Sequence, residues 1–318
     1  MNAEIKNAIS AADVKAQYDN CAKRLIGQKI ILAHILVKTV DDFKGMKPME
    51  VVPYIVGTPY IGTVPAEPGL TNAGKDGQRL VSLNTENEEI DEGLIKFDII
   101  FYVRMRNELS QIIINIEIQK DEPSKYKILN RAIFYTSRLI SSQKERDFVN
   151  SDYDSIKKVY SIWLCLNMRE NSMNHVHLVD DALIGSQDWK GNLDIFNIVM
   201  IGIAENLPEY SQQYELHRLI GALLSQQMTV DEKLNVVANE YKIPVEEDLK
   251  EEVNIMCNLS DAVEEKGIEK GIQQGIEQGI EQGIEQIILN MQKKGFDLKN
   301  ISIATGKSEE EIKTILEK

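Results

Sequence analysis

Two carboxylates and one amide lie within apolar segments typical of neighbouring strands, and side chains of these types could bind a metal ion. Asp98 interrupts the apolar run at 94–103, and Glu117 and Gln119 end the run at 111–119. Because side chains alternate between the two faces of a strand, Glu117 and Gln119 share one face. A carboxylate among apolar side chains needs a partner. A cation shared by Asp98 and Glu117 would supply one, and hard oxygen ligands suit Mg²⁺ or Mn²⁺.

A purely structural role for the two carboxylates fits the same pattern. Asp98 could form an ion pair with Lys96 on its own strand or with Arg131 further along the chain, and Glu117 could lie at a solvated strand end. Carboxylates on strands more often have structural roles than catalytic ones. Alternation alone therefore leaves both interpretations open.

Other reactive side chains give weaker signals. His175 and His177 are two residues apart, with no cysteine or further histidine close in sequence, so we interpret them as ordinary strand or loop residues. Cys165 lies in an apolar run and is typical of a small core residue. The chain has neither a GxxxxGKS phosphate loop nor a strand-linked GxGxxG, so nothing indicates a nucleotide-driven enzyme.

The segments that carry these residues predict a mixed sheet covered by helices. Residues 94–103 and 111–119 are rich in Ile, Phe, Val and Tyr and flank the turn-forming RMRNELS, which predicts an antiparallel hairpin. A helix is expected at about 124–142 and a third strand at 159–167. Because a helix separates the strands, the expected fold class is α/β.

The remaining segments predict helices and loops. Apolar residues at helical spacing predict one helix over 13–40 with a buried C-terminal half. Prolines and glycines divide 48–85 into extended segments and loops. From 183 onward the periodicity is helical, and a capping box is expected at Thr229 and Glu232.

A helical tail is expected after a first domain that covers 1–245. The tail, 246–318, contains the repeat GIEKGIQQGIEQGIEQGIEQ at 267–286, with glycine at every fourth position. Each glycine costs a helix about 1 kcal/mol relative to alanine. The repeat is therefore either a loose spacer or gains order by self-association along its isoleucine row. The chain ends in a small helix-turn-helix-like pattern, but its last helix is acidic, which favours assembly over DNA reading.

Composition and charge exclude several classes of protein. Of 318 residues, 43% are hydrophobic, and 50 acidic residues outnumber 36 basic ones. Such a chain can bury a core but cannot coat nucleic acid with its whole surface. Basic residues are in excess at 1–50 and 101–150, so DNA contact is expected there. Without a membrane-spanning run, a signal-peptide pattern or paired cysteines, we expect a soluble, cytoplasmic protein with no membrane partner.

The sequence segments around the candidate carboxylates resemble those of a known nuclease family. They run from about Tyr18 to Met168 and read YDNCAKRLIGQKIILAHILVKTVDDFK, SLNTENEEIDEGLIKFDIIFYV, LSQIIINIEIQKDEPSKYKILNRAIFYTSRLISSQ and YDSIKKVYSIWLCLN. They resemble PD-(D/E)XK nuclease family transposases, and the repeat-rich C-terminus is similar to those of recombination-promoting nucleases. The resemblance implies a restriction-endonuclease-like mixed sheet flanked by helices. It also implies a DNA endonuclease dependent on Mg²⁺ or Mn²⁺, with transposition or recombination as its setting.

A competing interpretation keeps the same fold without the activity. In it, the chain is a catalytically weak or inactive nuclease-fold protein that binds a partner and assembles as a homo-oligomer through its C-terminal repeat.

The resemblance also assigns site residues. It makes Asp98 and Glu117 metal ligands, adds Glu92 as a further acidic ligand, and places Gln119 where the nuclease motif has lysine. A neutral amide can orient water or donate a hydrogen bond, but it cannot offset phosphate charge as an ammonium does. More of the chemistry would then fall on the metal. We expect Gln119→Lys to preserve folding, and a cation at this position would favour cleavage.

Three basic residues complete the implied site as DNA contacts or as support for the carboxylates. They are Arg131, Lys120 and Lys96. Arg131 could contact a phosphate or pair with the carboxylates, and Lys120 is expected on the strand face opposite to Gln119.

Overall fold

A mixed sheet forms the centre of the protein. The computed structural model describes residues 16–61, 98–105, 111–120, 123–144 and 147–316. In these ranges six strands lie in the order β1 (Ile55–Ile61), β2 (Ile99–Arg104), β3 (Gln111–Gln119), β4 (Val159–Met168), β6 (Phe196–Ala204) and β5 (Ser172–His177). The pairs β1–β2, β2–β3 and β5–β6 are antiparallel, and the pairs β3–β4 and β4–β6 are parallel.

Helices flank the sheet and form the C-terminal region. They are α1 (16–26), α2 (Lys29–Thr39), α3 (Pro48–Val51), α4 (Ile128–Ser141), α5 (Glu215–Leu224), α6 (Val230–Asn235), α7 (Glu247–Lys293), α8 (Leu298–Thr305) and α9 (Glu309–Leu316). The expected α/β class, with a mixed sheet flanked by helices and a helical C-terminal region, is confirmed. None of the described helices is both long enough and apolar enough to cross a bilayer.

Strand alternation divides the apolar side chains into two cores. On one face of the sheet, Ile99 and Ile114 pack with buried residues of α1, α2 and α5. On the other face, Ile100 and Ile113 pack with α4 and Trp163. The face toward α4 is the one that sequence alternation assigned to Glu117 and Gln119.

The hairpin between β2 and β3 is confirmed by its register. Its Cα partners run from Ile99 opposite Ile116 to Arg104 opposite Gln111. The third expected strand is β4, and the helix expected at about 124–142 is α4. These elements follow local periodicity, which explains why the sequence predicts them.

The single helix expected over 13–40 is wrong, because the described chain breaks at Gly27 and Gln28 between α1 and α2. A Cβ atom at Gly27 would lie 2.7 Å from Ile61 Cδ1 and 2.9 Å from the Lys23 carbonyl oxygen. Glycine is therefore required where β1 packs closely against the break.

The helical interpretation of the chain from 183 onward is wrong at Phe196–Ala204, which forms β6. This strand lies between β4 and β5. Most of its residues are buried, and the buried side chains lie on both faces of the strand. A strand buried on both faces lacks polar alternation, so its apolar run cannot be distinguished from a buried helix by periodicity. The capping box of α6 is confirmed, since the Thr229 side chain and Glu232 bond reciprocally to backbone amides.

Contacts divide the chain into a unit covering Lys15–Leu259 and a unit that contains Ser260–Lys318. The first turns of α7 belong to the first unit, where Val253 and Met256 are buried in the core. In the second unit, the end of α7 packs with α8 and α9 through a small buried cluster of Ile288, Ile301 and Ile312. Each unit therefore has its own core.

Candidate active site

Asp98 and Glu117 meet at one end of the β2–β3 hairpin. The Asp98 amide donates a hydrogen bond to Glu117 Oε1 at 3.3 Å, and the Ile118 amide donates to Asp98 Oδ2 at 2.8 Å. Asp98 directly precedes β2, so the antiparallel register places it beside Glu117. The hairpin thus brings together the two residues that the sequence selected as metal ligands.

Asp98 has a cationic partner on α1. Lys23 Nζ lies 2.7 Å from Asp98 Oδ1. If the carboxylates had a purely structural role, the expected partner of Asp98 was Arg131 or Lys96. In the structure Asp98 pairs with Lys23 and not with Arg131. Lys96 and the additional ligand Glu92 lie outside the described residues. Nothing in the local sequence around Lys23 signals this pairing, because the two residues are far apart in the chain.

Glu117 is a buried carboxylate. Its residue surface is 3% exposed, so the expectation of a solvated strand end is wrong. Burial raises the pKa of the Glu117 carboxyl well above its usual value, and the nearby charge of Asp98 raises it further. Arg131 and hydrogen bonds from the Asp98 amide and the Asn115 side chain oppose that rise. A further positive charge beside Glu117 would stabilise its ionised form.

Arg131 lies in an aromatic cage above the strand face. Its Nη2 donates to the Tyr135 hydroxyl at 2.8 Å, and its Nη1 donates to the Tyr126 hydroxyl at 3.1 Å. The guanidinium carbon lies 4.7 Å from the centroid of the Tyr135 ring and 5.5 Å from that of Trp163. Nη2 is also 3.9 Å from Glu117 Oε2. These contacts hold Arg131 within the site, as a partner of the carboxylate.

Arg131 also fixes the orientation of the Gln119 amide. Its Nη1 donates a hydrogen bond to Gln119 Oε1 at 3.4 Å. A guanidinium has donors and no acceptor, so the amide must turn its oxygen toward Arg131. Sequence reasoning placed both residues at the site but did not predict this contact.

Polar side chains beneath Glu117 extend the site into the sheet. Asn115 is fully buried on the same strand face, and its Nδ2 donates to Ser161 Oγ at 3.3 Å. Trp163 Nε1 donates to the same oxygen at 2.9 Å. The amide of Asn115 was visible in the alternation of β3, but its partners on β4 were not, because they depend on the parallel pairing of β3 and β4.

The described contacts of Lys120 are with residues other than the two carboxylates. Its Nζ lies 5.4 Å from the ring centroid of Tyr18 on α1 and donates to Gln226 Oε1 at 3.4 Å. Lys120 therefore lies on the α1 side of the sheet, whereas Gln119 contacts α4. It lines a small pocket at the carboxyl ends of β4 and β6, together with Asn167 and Ala204.

The chain was compared with protein-family models, curated proteins and solved structures. None of these comparisons gives a match. The assignment of chemistry to Asp98 and Glu117 therefore depends on their geometry and on the resemblance of the sequence.

Among the described residues, no group of three or more His, Cys, Asp and Glu side chains could hold a metal ion. His175 lies on β5, where its Nε2 is 2.9 Å from Asn197 Oδ1. Asp98 and Glu117 nevertheless fit Mg²⁺ or Mn²⁺ by the chemistry of their donors. Their oxygens are hard ligands, and Mg²⁺ is commonly bound by one or two carboxylates while it keeps several waters. The buried charge of Glu117 is also stabilised by a cation.

Proposed function

We propose that the protein is a metal-dependent DNA endonuclease with a restriction-endonuclease-like fold and a role in transposition or recombination. The observation that carries the proposal is the pairing of Asp98 with the buried Glu117 at the end of one hairpin. The family resemblance of the surrounding sequence supplies the substrate class, since the geometry alone fits several metal-dependent reactions. The excess of basic residues at 1–50 and 101–150 supports DNA as the partner.

The chain supplies ligands and a hydrogen-bond donor for this reaction. Asp98 and Glu117 would hold the ion, and Asn115 keeps Glu117 in place. A bound Mg²⁺ lowers the pKa of its water and offsets charge on the phosphate. The Gln119 amide would donate to a phosphate oxygen or to the attacking water, and the hydrogen bond from Arg131 to its oxygen would orient it for that role.

We expect cleavage of supercoiled plasmid DNA in the presence of Mg²⁺ or Mn²⁺, and at least about a hundredfold slower cleavage by Asp98→Ala. Gel analysis of nicked and linear products measures the rate, and chelation of the metal should stop the reaction. Asp41→Ala is the matched control, because Asp41 also pairs with a lysine but is exposed away from the site. Equal rates for the parent and Asp98→Ala would contradict the proposal.

A second candidate function is an inactive nuclease-fold protein that assembles through α7. The ion pair of Asp98 with Lys23 favours it, because this partner balances the carboxylate without a metal. An exposed isoleucine row favours it as well. Ile272, Ile276 and Ile280 are each more than half exposed at four-residue spacing along α7. Such a row gains stability when a partner covers it.

If α7 drives assembly, replacing these three isoleucines by glutamine should lower the mass of the particle in solution by about half or more. Light scattering on the full chain measures that mass. The matched control replaces Gln274, Gln278 and Gln282 by asparagine on the same helix. An unchanged mass in the isoleucine variant would exclude this row as the assembly surface.

A further inference from the structure

The segment between β5 and β6 exposes an unusual number of large apolar side chains. Residues 178–193, the arm, form no strand or helix up to Asn192, and every residue in the arm is exposed. Leu183, Ile184 and Trp189 are 93%, 98% and 79% exposed. Single exposed apolar residues are normal, but a cluster of this kind marks an interaction surface. Tryptophan is also enriched among the residues that contribute most to binding at interfaces.

The outer face of α4 carries a second apolar surface. Ala132, Tyr135 and Leu139 are buried against the sheet, whereas Leu129, Ile133 and Phe134 are 40%, 41% and 49% exposed on the other side. Residues four apart in a helix share a face, so Leu129 and Ile133 form a stripe beside Phe134. We call these three residues the α4 stripe.

The two surfaces are complementary in charge. The arm contains three aspartates, Asp180, Asp181 and Asp188, against one lysine. Residues 123–144, which contain α4, have five basic residues and no acidic residue. Lys125 and Lys127 are exposed next to the α4 stripe. An acidic apolar segment and a basic apolar helix face fit each other better than either fits a copy of itself.

We propose that the arm of one copy of the protein docks on the α4 stripe of a second copy. Both surfaces are exposed in the single chain, so its own arm does not cover its own α4 stripe. A two-fold pair forms the arm–stripe contact twice, because each copy carries both halves of it. Stable dimers bury roughly 1,200–2,000 Å² in total, so a contact formed twice favours a stable pair over one formed once. The proposal concerns assembly and does not depend on the proposed nuclease activity.

Disulfide trapping between two differently substituted full-length chains tests the docking. One chain carries a single new cysteine in the arm, at Leu183, Ile184 or Trp189. The other carries a single new cysteine in the α4 stripe, at Leu129, Ile133 or Phe134. The native cysteines are all buried, so they should not compete. Each chain has one new thiol, so a disulfide between the two under diamide oxidation requires contact between copies.

We expect at least one arm–stripe pair to give the mixed dimer with a yield about tenfold above the control. The control pairs the same arm cysteine with Met49→Cys, which is exposed on α3. Reversing the arm charge with Asp180→Lys and Asp181→Lys should lower the yield. Lys125→Glu and Lys127→Glu in the second chain should restore it.

Three results would overturn the proposal. The first is a disulfide that forms when both cysteines are placed in one chain but not when they are placed in two different chains. The arm would then contact the α4 stripe of its own chain. The second is a mixed-dimer yield no higher than that of the Met49→Cys control. The third is that Phe134→Asp weakens DNA binding but leaves the mass of the particle unchanged, which would make the α4 stripe a nucleic-acid surface.

Discussion

Replacement of Glu117 by glutamine is expected to make the protein more stable and to abolish cleavage. Burial and the charge of Asp98 raise the pKa of Glu117 above its usual value of 4.5, so this carboxyl contributes less and less stability as the pH rises above that value. Glutamine removes that charge and can still accept the hydrogen bond from the Asp98 amide. Cleavage should fall about a thousandfold or more, because the amide oxygen is a weaker metal ligand.

The difference in stability between the parent and Glu117→Gln should change with pH in a definite direction. A carboxyl whose pKa is raised by folding stabilises the protein most below about pH 4.5 and loses that contribution as the pH rises through the folded pKa. The free energy of unfolding of the parent should therefore fall relative to Glu117→Gln as the pH increases. Urea unfolding without metal, at several values between about pH 4 and pH 8, measures the difference.

Glu232→Gln is the matched control, because its effect on stability at neutral pH should have the opposite sign. Hydrogen bonds from the Thr229 amide and hydroxyl lower the pKa of Glu232, so its ionised form stabilises the fold above the unfolded pKa. This variant should lose stability at neutral pH, in contrast to Glu117→Gln. If Glu117→Gln is also less stable than the parent at neutral pH, the described neighbours already compensate the carboxylate, and its burial no longer supports a cation beside it.

The second large effect is expected for Gln119→Lys, which should destabilise the protein by about 2–3 kcal/mol. Sequence reasoning expected this change to preserve folding. The structure places Gln119 Oε1 3.4 Å from Arg131 Nη1, so a lysine here brings a second cation toward the guanidinium. It also removes the oxygen that accepts the hydrogen bond. In the described structure, the positive charge beside Gln119 comes from Arg131 on α4.

A double-mutant cycle separates this repulsion from a simple loss of packing. In an Arg131→Gln background, Gln119→Lys should cost less than about 1 kcal/mol, because the new amide at 131 can accept from the ammonium. Gln119→Met in the parent controls for side-chain length without a charge. The measurement is the midpoint of urea unfolding for all four members of the cycle. An equal cost of Gln119→Lys in both backgrounds would disprove the coupling.

Local periodicity in the sequence is enough to predict the elements that carry the site. The hairpin follows from two apolar runs around a polar turn, and Glu117 and Gln119 follow from alternation within β3. The position of β6 does not follow, because its two buried faces remove the alternation on which the prediction relies. The close contact at Gly27 involves Ile61, which lies 34 positions away in the sequence, so local periodicity does not reveal it.

Contacts between distant segments also explain which site features the sequence could not predict. Lys23 on α1 pairs with Asp98 at the start of β2, and nothing near either residue in the sequence marks the other. The cage around Arg131 combines two tyrosines near it in the chain with Trp163 from β4. Two of these aromatic rings are near neighbours of Arg131, but the third becomes a neighbour only when β4 pairs with β3. A single sequence shows that these residues are present, but it does not show that they meet in the folded protein.

The ion pair between Lys23 and Asp98 couples α1 to the proposed metal site. A divalent cation that bound Asp98 Oδ1 would compete with the ammonium group of Lys23. Its affinity would then include the free energy of breaking that ion pair. By thermodynamic linkage, a change that weakens the contact between α1 and the start of β2 would alter the affinity for such an ion. Binding of the ion would in turn weaken that contact. Amide hydrogen exchange in α1 would then follow occupancy of a site on another element.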